Sequence, residues 1–114
     1  MNHRFDLYPK IILSNTTALI TISSKTDQDR LKDDTVVLIR HTPMRRDSVI
    51  GSYEAIPDQI LNPKDGLIQF SLFFKGEQEH KVELILPNHE HVDFRLYSVS
   101  KALWQLTPYK GDLH

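Results

Sequence analysis

Histidine is the residue type here best suited to chemistry, and the chain has six of them and no cysteine. His89-Glu90-His91 has two imidazoles at i and i+2, a spacing that puts both on one side of an extended segment. It follows Pro87-Asn88 and reads first as a polar, solvated loop between strands. His41 and His80 are isolated in sequence. His41 lies in an otherwise apolar run and reads as a buried or half-buried, hydrogen-bonded histidine rather than a ligand. Arg45-Arg46 follows Pro43-Met44 and suits a phosphate or an acidic partner, but Asp47 is adjacent to neutralise it. Asn15-Thr16-Thr17 matches an N-glycosylation pattern, but nothing resembling a signal peptide precedes it.

The remaining inventory excludes more than it supports. Without cysteine there is no disulfide framework, thiolate metal site or thiol nucleophile. The serines lack a Gly-x-Ser-x-Gly elbow, and four scattered glycines build no phosphate-cradling loop. No paired carboxylates stand out on apolar strands. The chain by itself is therefore expected not to be an enzyme and to carry no cofactor.

The elements that position these residues are mostly strands. Ile68, Phe70, Leu72 and Phe74 alternate with Gln69, Ser71 and Phe73, which sorts them onto a core face and a solvent face. Val82, Leu84 and Leu86 repeat the pattern, as do Val92, Phe94 and Leu96. The short joint Lys75-Gly76-Glu77-Gln78 predicts a hairpin between the first two runs, and all three runs together predict a meander. Earlier in the chain, Phe5 and Leu7 before Pro9 predict a short edge strand. Ala18, Ile20 and Ile22 share one face of a run from Asn15 to Ser24. Val36 to Ile39 is apolar on both faces, which suggests a strand covered on more than one side. Val49 to Ile56 predicts a further strand, and Asp27 to Asp34 a charged, solvated loop. About seven short strands with regular turn signals predict an all-β, immunoglobulin- or fibronectin-III-like antiparallel sandwich. Its expected core is Ile20, Ile22, Ile39, Ile68, Phe70, Leu72, Val82, Leu84, Phe94 and Leu96.

Length and charge agree with one such unit. The chain has 114 residues, 39% of them hydrophobic, and 14 basic against 15 acidic residues. That suits one globular domain and argues against a general nucleic-acid binder, which needs clustered positive charge. No apolar run is long enough to span a membrane, so a cytoplasmic protein is expected. Ser98 to Leu106 predicts a short helix, capped by Ser100 and stopped by Pro108.

The last residues, Pro108-Tyr109-Lys110-Gly111-Asp112-Leu113-His114, have a resemblance to a known family. The segment resembles the opening strand of the polymerase and histidinol phosphatase (PHP) superfamily of metal-dependent phosphoesterases. Members of that superfamily commonly begin with a Gly-Asp-Leu-His-x-His segment at the mouth of a distorted β/α barrel. The resemblance implies that residues 1–98 are an accessory sandwich. It also implies that 99–114 are a short helix and connector entering the first barrel strand, where the chain is truncated. It implies a bacterial parent protein, a hydrolase using divalent Zn, Mn or Fe, with His114 as a metal ligand. The expected role of this chain is then non-catalytic: docking on the barrel and regulating access to it. Trp104, Leu106 and Tyr109 are the expected interface to that intramolecular partner, and in its absence would drive a homodimer. The alternative is a carbohydrate- or protein-binding fibronectin-like module, which would align exposed aromatics from among Tyr8, Tyr53, Phe73, Tyr97 and Trp104.

Overall fold

A computed structural model of the chain describes residues 4–44 and 56–106. Within them the sandwich is realised as two sheets. A three-stranded sheet contains β1 (Phe5–Tyr8), β3 (Thr16–Ser24) and β6 (Leu67–Phe74), in the order β1-β3-β6. A five-stranded sheet contains β2 (Ile11–Leu13), β4 (Val37–Pro43), β5 (Gln59–Leu61), β7 (Gln78–Ile85) and β8 (His91–Val99), in the order β2-β8-β7-β4-β5. A 3-10 turn spans Asp27–Asp29, and one helix, α1, spans Lys101–Leu106.

Alternation explains which side chains meet between the layers. Phe5 and Leu7 of β1, Ile20 and Ile22 of β3, and Ile68, Phe70, Leu72 and Phe74 of β6 point inward from one sheet. Ile12, Val37, Ile39, Val82, Leu84, Val92, Phe94 and Leu96 point inward from the other. Every residue of the expected core is buried. Burial of this apolar surface is the main favourable term holding the two sheets face to face.

The predicted meander is corrected. β6 does not pair with β7: it pairs with β3, from Thr16↔Phe74 to Ser23↔Leu67, while β7 pairs with β4 and β8. The short Lys75–Glu77 connection crosses from one layer to the other instead of turning a hairpin. Alternation specifies which face of a strand is buried but not its neighbour, and two strands facing each other across a core have the same pattern as two paired in one sheet. The parallel pairing of β2 with β8 (Ile11↔Tyr97 to Leu13↔Val99) was not foreseen either, because three residues carry too little periodicity. The strand expected over Val49 to Ile56 falls almost entirely outside the described residues, and β5 follows it. Val36 to Ile39 is covered mainly on one side, with Val37 and Ile39 buried and Val36 exposed.

The turns have their own chemistry. Gly66 sits at φ +79°, and Arg30 side-chain atoms lie 3.0 Å from where a Cβ would be, so a larger residue there meets both strain and a clash. Asn15 adopts φ 60° between β2 and β3, a conformation asparagine tolerates better than most residues. Ser100 Oγ accepts the Leu103 N–H (3.2 Å) and caps α1 as expected.

Phe70 is central to β6 and 4% exposed. Phe70→Ala is expected to destabilise the chain by about 3–5 kcal/mol in urea unfolding, the usual cost of emptying an aromatic core position. A change below 1 kcal/mol would show that the two sheets do not close over this residue.

Candidate functional site

Two of the histidines that stand apart in sequence meet inside the sandwich. β4 and β7 pair antiparallel with His41 opposite Val82 and Pro43 opposite His80, so the two imidazoles are inward-facing diagonal neighbours. They are 5% and 0% exposed. Their rings lie 5.0 Å apart, and His41 Nε2 is 2.9 Å from His80 Nδ1. Phe74 reaches across from the opposite sheet and packs on both. Its ring is edge-on to His80 at 4.9 Å and tilted to His41 at 5.3 Å.

Hydrogen bonding dictates the tautomers. Ser98 Oγ is 2.5 Å from the Gly76 carbonyl, which only accepts, so the hydroxyl proton points there. Ser98 Oγ therefore accepts from His80 Nε2 (2.7 Å) and from the Gln78 N–H (3.3 Å). His80 then carries its proton on Nε2 and a lone pair on Nδ1, which accepts from His41 Nε2. The direction of the chain leaves His41 Nδ1 as a lone pair, and that atom is buried without a hydrogen-bond partner. At the other end, Asn15 Oδ1 accepts the Gly76 N–H (2.9 Å), and the Asn15 N–H donates to the Phe74 carbonyl (2.6 Å). The glycosylation-like asparagine is thus a brace for the turn that holds Ser98.

Burial keeps both rings neutral. Desolvation pushes His41 down to about 4. His80 is also pushed to about 4, first by desolvation and then by the proximity of His41. No carboxylate among the described residues pairs with either ring, so nothing offsets the cost of charging them.

A second histidine site lies on the outer face of the five-stranded sheet. His91 Nδ1 is 2.8 Å from Glu83 Oε2, and Lys81 Nζ is 3.6 Å from Glu83 and 3.7 Å from Asp93. Burial alone would raise the Glu83 carboxyl, but the hydrogen bond from His91 and the charges of Lys81, His91 and Arg40 hold it below its ordinary value. On the same face Arg40 and Asp58 form a two-armed pair at 3.1–3.2 Å, and Arg95 meets Glu79 at 3.6 Å. Charges of both signs neutralise one another across this face, which makes it a soluble surface more than a field for a charged ligand.

The His-x-His segment does not form a joint site. His91 is committed to Glu83, and His89 is exposed at φ 67° in the turn before β8. Among the described residues no three His, Cys, Asp or Glu side chains could together hold a metal ion. Arg45, Arg46, Tyr53, Tyr109 and His114 lie outside the described residues. Trp104 is half-buried in α1, while Leu106 is 79% exposed. The exposed aromatics do not form a row. Tyr8 and Phe73 are on the outer face of one sheet, Tyr97 is on the other sheet, and Trp104 is in the helix.

The alternation of Val82 and Leu84 places His80 inward, a signal present in the sequence. Its meeting with His41 depends on β4–β7 register, and Ser98 and Gly76 carry no chemical signature of their own.

No protein-family profile and no curated protein matches the sequence. The sandwich is, however, shared with solved structures. A superoxide reductase (neelaredoxin) from Ignicoccus hospitalis aligns over 87% of this chain and 81% of its own, with TM-score 0.51 and 8% identity. Single-substitution variants of that protein align equally well, at TM-scores of 0.51 and 0.52. At that identity the likeness establishes the fold.

These findings correct the expectations drawn from the C-terminal segment. The PHP resemblance rested on residues 108–114, outside the described structure, and solved structures that share this fold are superoxide reductases, a different fold from a PHP accessory domain. The phosphoesterase parent, its docked barrel and the non-catalytic accessory role are set aside with it. The fibronectin-like binding module is set aside too, since the neighbours are oxidoreductases and the aromatics are dispersed over three surfaces. Composition was also too weak a ground for expecting no enzyme. No helix among the described residues is long and apolar enough to cross a membrane.

Ser98→Ala removes the acceptor of His80 Nε2 and the donor to Gly76 in one step. It is expected to cost about 1–3 kcal/mol in urea unfolding at pH 7.5, since buried polar groups are left unpaired. Double substitution with His80→Leu should recover part of that loss. Strictly additive effects would mean that Ser98 and His80 do not interact.

Proposed function

We propose that the chain is an oxidoreductase-type β-sandwich acting on a small reactive oxygen species, superoxide being the first candidate. The observation that carries the reading is the shared architecture, which spans 87% of this chain and 81% of its superoxide reductase neighbour.

Reduction of superoxide to hydrogen peroxide takes one electron and two protons, and the electron has to come from an external reductant or an added metal, because the described residues hold no redox centre. The chain has no thiolate to offer a metal, and the described residues assemble no set of three ligands, so they do not fit a resident metal centre. What the described residues do supply is a dry, directional hydrogen-bond chain from His41 to the Gly76 carbonyl. Its bare end, His41 Nδ1, is a buried lone pair, and burial keeps both rings neutral near pH 7.

The reading is tested on the full chain by metal analysis as purified, and by its rate of superoxide consumption in competition with cytochrome c. Supplementation with Fe²⁺, Mn²⁺ and Zn²⁺ extends the test. Consumption faster than that of the same metal free in solution, and slowed about tenfold or more by His41→Phe with the fold intact, is the expected result. Consumption no faster than that of the free metal in every arm would sink the reading.

A further inference from the structure

We propose that the His41–His80 pair makes one end of the sandwich an acid-opened latch: protonation of the pair separates that end of the two sheets while the opposite end stays closed. The proposal is independent of the redox reading, since it rests on the geometry of the pair alone.

The latch end is built from three turns and two rings. Phe74, at the end of β6, is the side chain of the three-stranded sheet that meets both imidazoles of the five-stranded sheet. Around them, the Met44 N–H donates to Glu79 O, the Asn15 N–H to Phe74 O and the Ser14 N–H to Val99 O. The Gly76 N–H donates to Asn15 Oδ1. The first three extend the β4–β7, β3–β6 and β2–β8 ladders at this end, while the Gly76–Asn15 and Ser98–Gly76 bonds and the packing of Phe74 on the two rings join the layers. The opposite end is held otherwise, by the Arg4–Glu90 ion pair and by the backbone bonds of Lys25 to Arg4 and of Leu67 to Lys64. None of those involves a histidine.

A hydrogen-bonded imidazole pair has room for two ring protons between its neutral members and no counter-charge for a third. Among the described residues, the groups facing it are Phe74 from β6, Ser98 and Leu96 from β8, and Val82 beside His80 on β7. The β2–β3 turn reaches it only through Asn15, by way of Gly76. None of these is charged. The ionic groups of β4, β7 and β8 (Arg40, Lys81, Glu83, Asp93, Arg95) are on the outer face, engaged with each other and with Asp58, Glu79 and His91. An added proton would also need His80 Nδ1 or His41 Nδ1. The first is the acceptor that joins the rings, and the second is walled off from water.

The direction of the effect follows. Each ring is held near 4 in the closed state, against 6.5 when free. The open state therefore binds more protons between those values. Stability at this end is complete above about pH 6.5 and is lost as the pH falls toward 4.

The test is amide hydrogen exchange on the full chain at pH 7.5 and pH 5, expressed as protection factors to remove the intrinsic pH dependence. For each ring that must protonate, opening is favoured about thirtyfold at pH 5 over pH 7.5. Protection of Gly76, at the crossing between the layers, should fall by at least that factor, while Lys25 and Leu67 at the other end change less than threefold. His41→Phe/His80→Leu should abolish the difference between the ends. If that variant does not fold, imidazole ¹⁵N shifts of the unmodified chain decide the matter. Rings that stay neutral to below pH 5 with Nε2 protonated support the latch, and titration near 6.5 overturns it. Equal loss of protection at both ends would overturn it as well.

Discussion

The space between the two sheets is narrowest in tolerance where Phe74 meets His41 and His80. Elsewhere the core is aliphatic and aromatic, and any well-packed apolar residue of similar volume would fill it. Here two polar rings are desolvated, and the cost is met by one directional hydrogen-bond chain ending on a backbone carbonyl. That chain requires Ser98 on β8, the crossing turn at Gly76 and the β4–β7 register all at once. A slip of one residue in β4 would move His41 to the outer face and leave His80 without its donor.

The same constraint accounts for the irregular features near that end. Asn15 takes a left-handed conformation, and its amide group and backbone together join the β2–β3 turn to the β6–β7 crossing. The short crossing then presents the Gly76 carbonyl to Ser98. Such buried polar chains are expensive unless fully satisfied, and this one is satisfied except at His41 Nδ1. A bare acceptor is a smaller penalty than a bare donor, and it is the one place in the described core where a proton could be added without breaking a bond.

The outer faces have a different character. The five-stranded sheet carries paired charges, with Glu83 at the centre of interactions from Lys81 and His91. These exposed and half-exposed pairs contribute little individually to stability. Directly paired positions on β7 and β8 carry like charges, Lys81 with Arg95 and Glu83 with Asp93, and the ion pairs form diagonally, Lys81 to Asp93 and Arg95 to Glu79. The fold likeness to superoxide reductases is a likeness of these two layers and their connections. At 8% identity it says nothing about which side chains do the work.

Alternation by itself determined much of this protein: that it is built of strands, that its layers form a sandwich, and which ten residues make the centre of the core. The short helix was legible in part: Ser100 caps it, a local effect, but Ser98 and Val99, expected to open it, belong to β8, and the helix begins at Lys101. What only the tertiary structure decided was partnership. β6 and β7 have the patterns of hairpin strands yet sit in opposite layers, since burial of a face is the same physical event whichever strand lies alongside. His41 and His80, 39 positions apart, become hydrogen-bonded only through the β4–β7 register. The likeness of residues 108–114 to a known family failed as a guide for a related reason. So short a segment has few physical requirements of its own, whereas the two-sheet architecture depends on contacts distributed along nearly the whole chain.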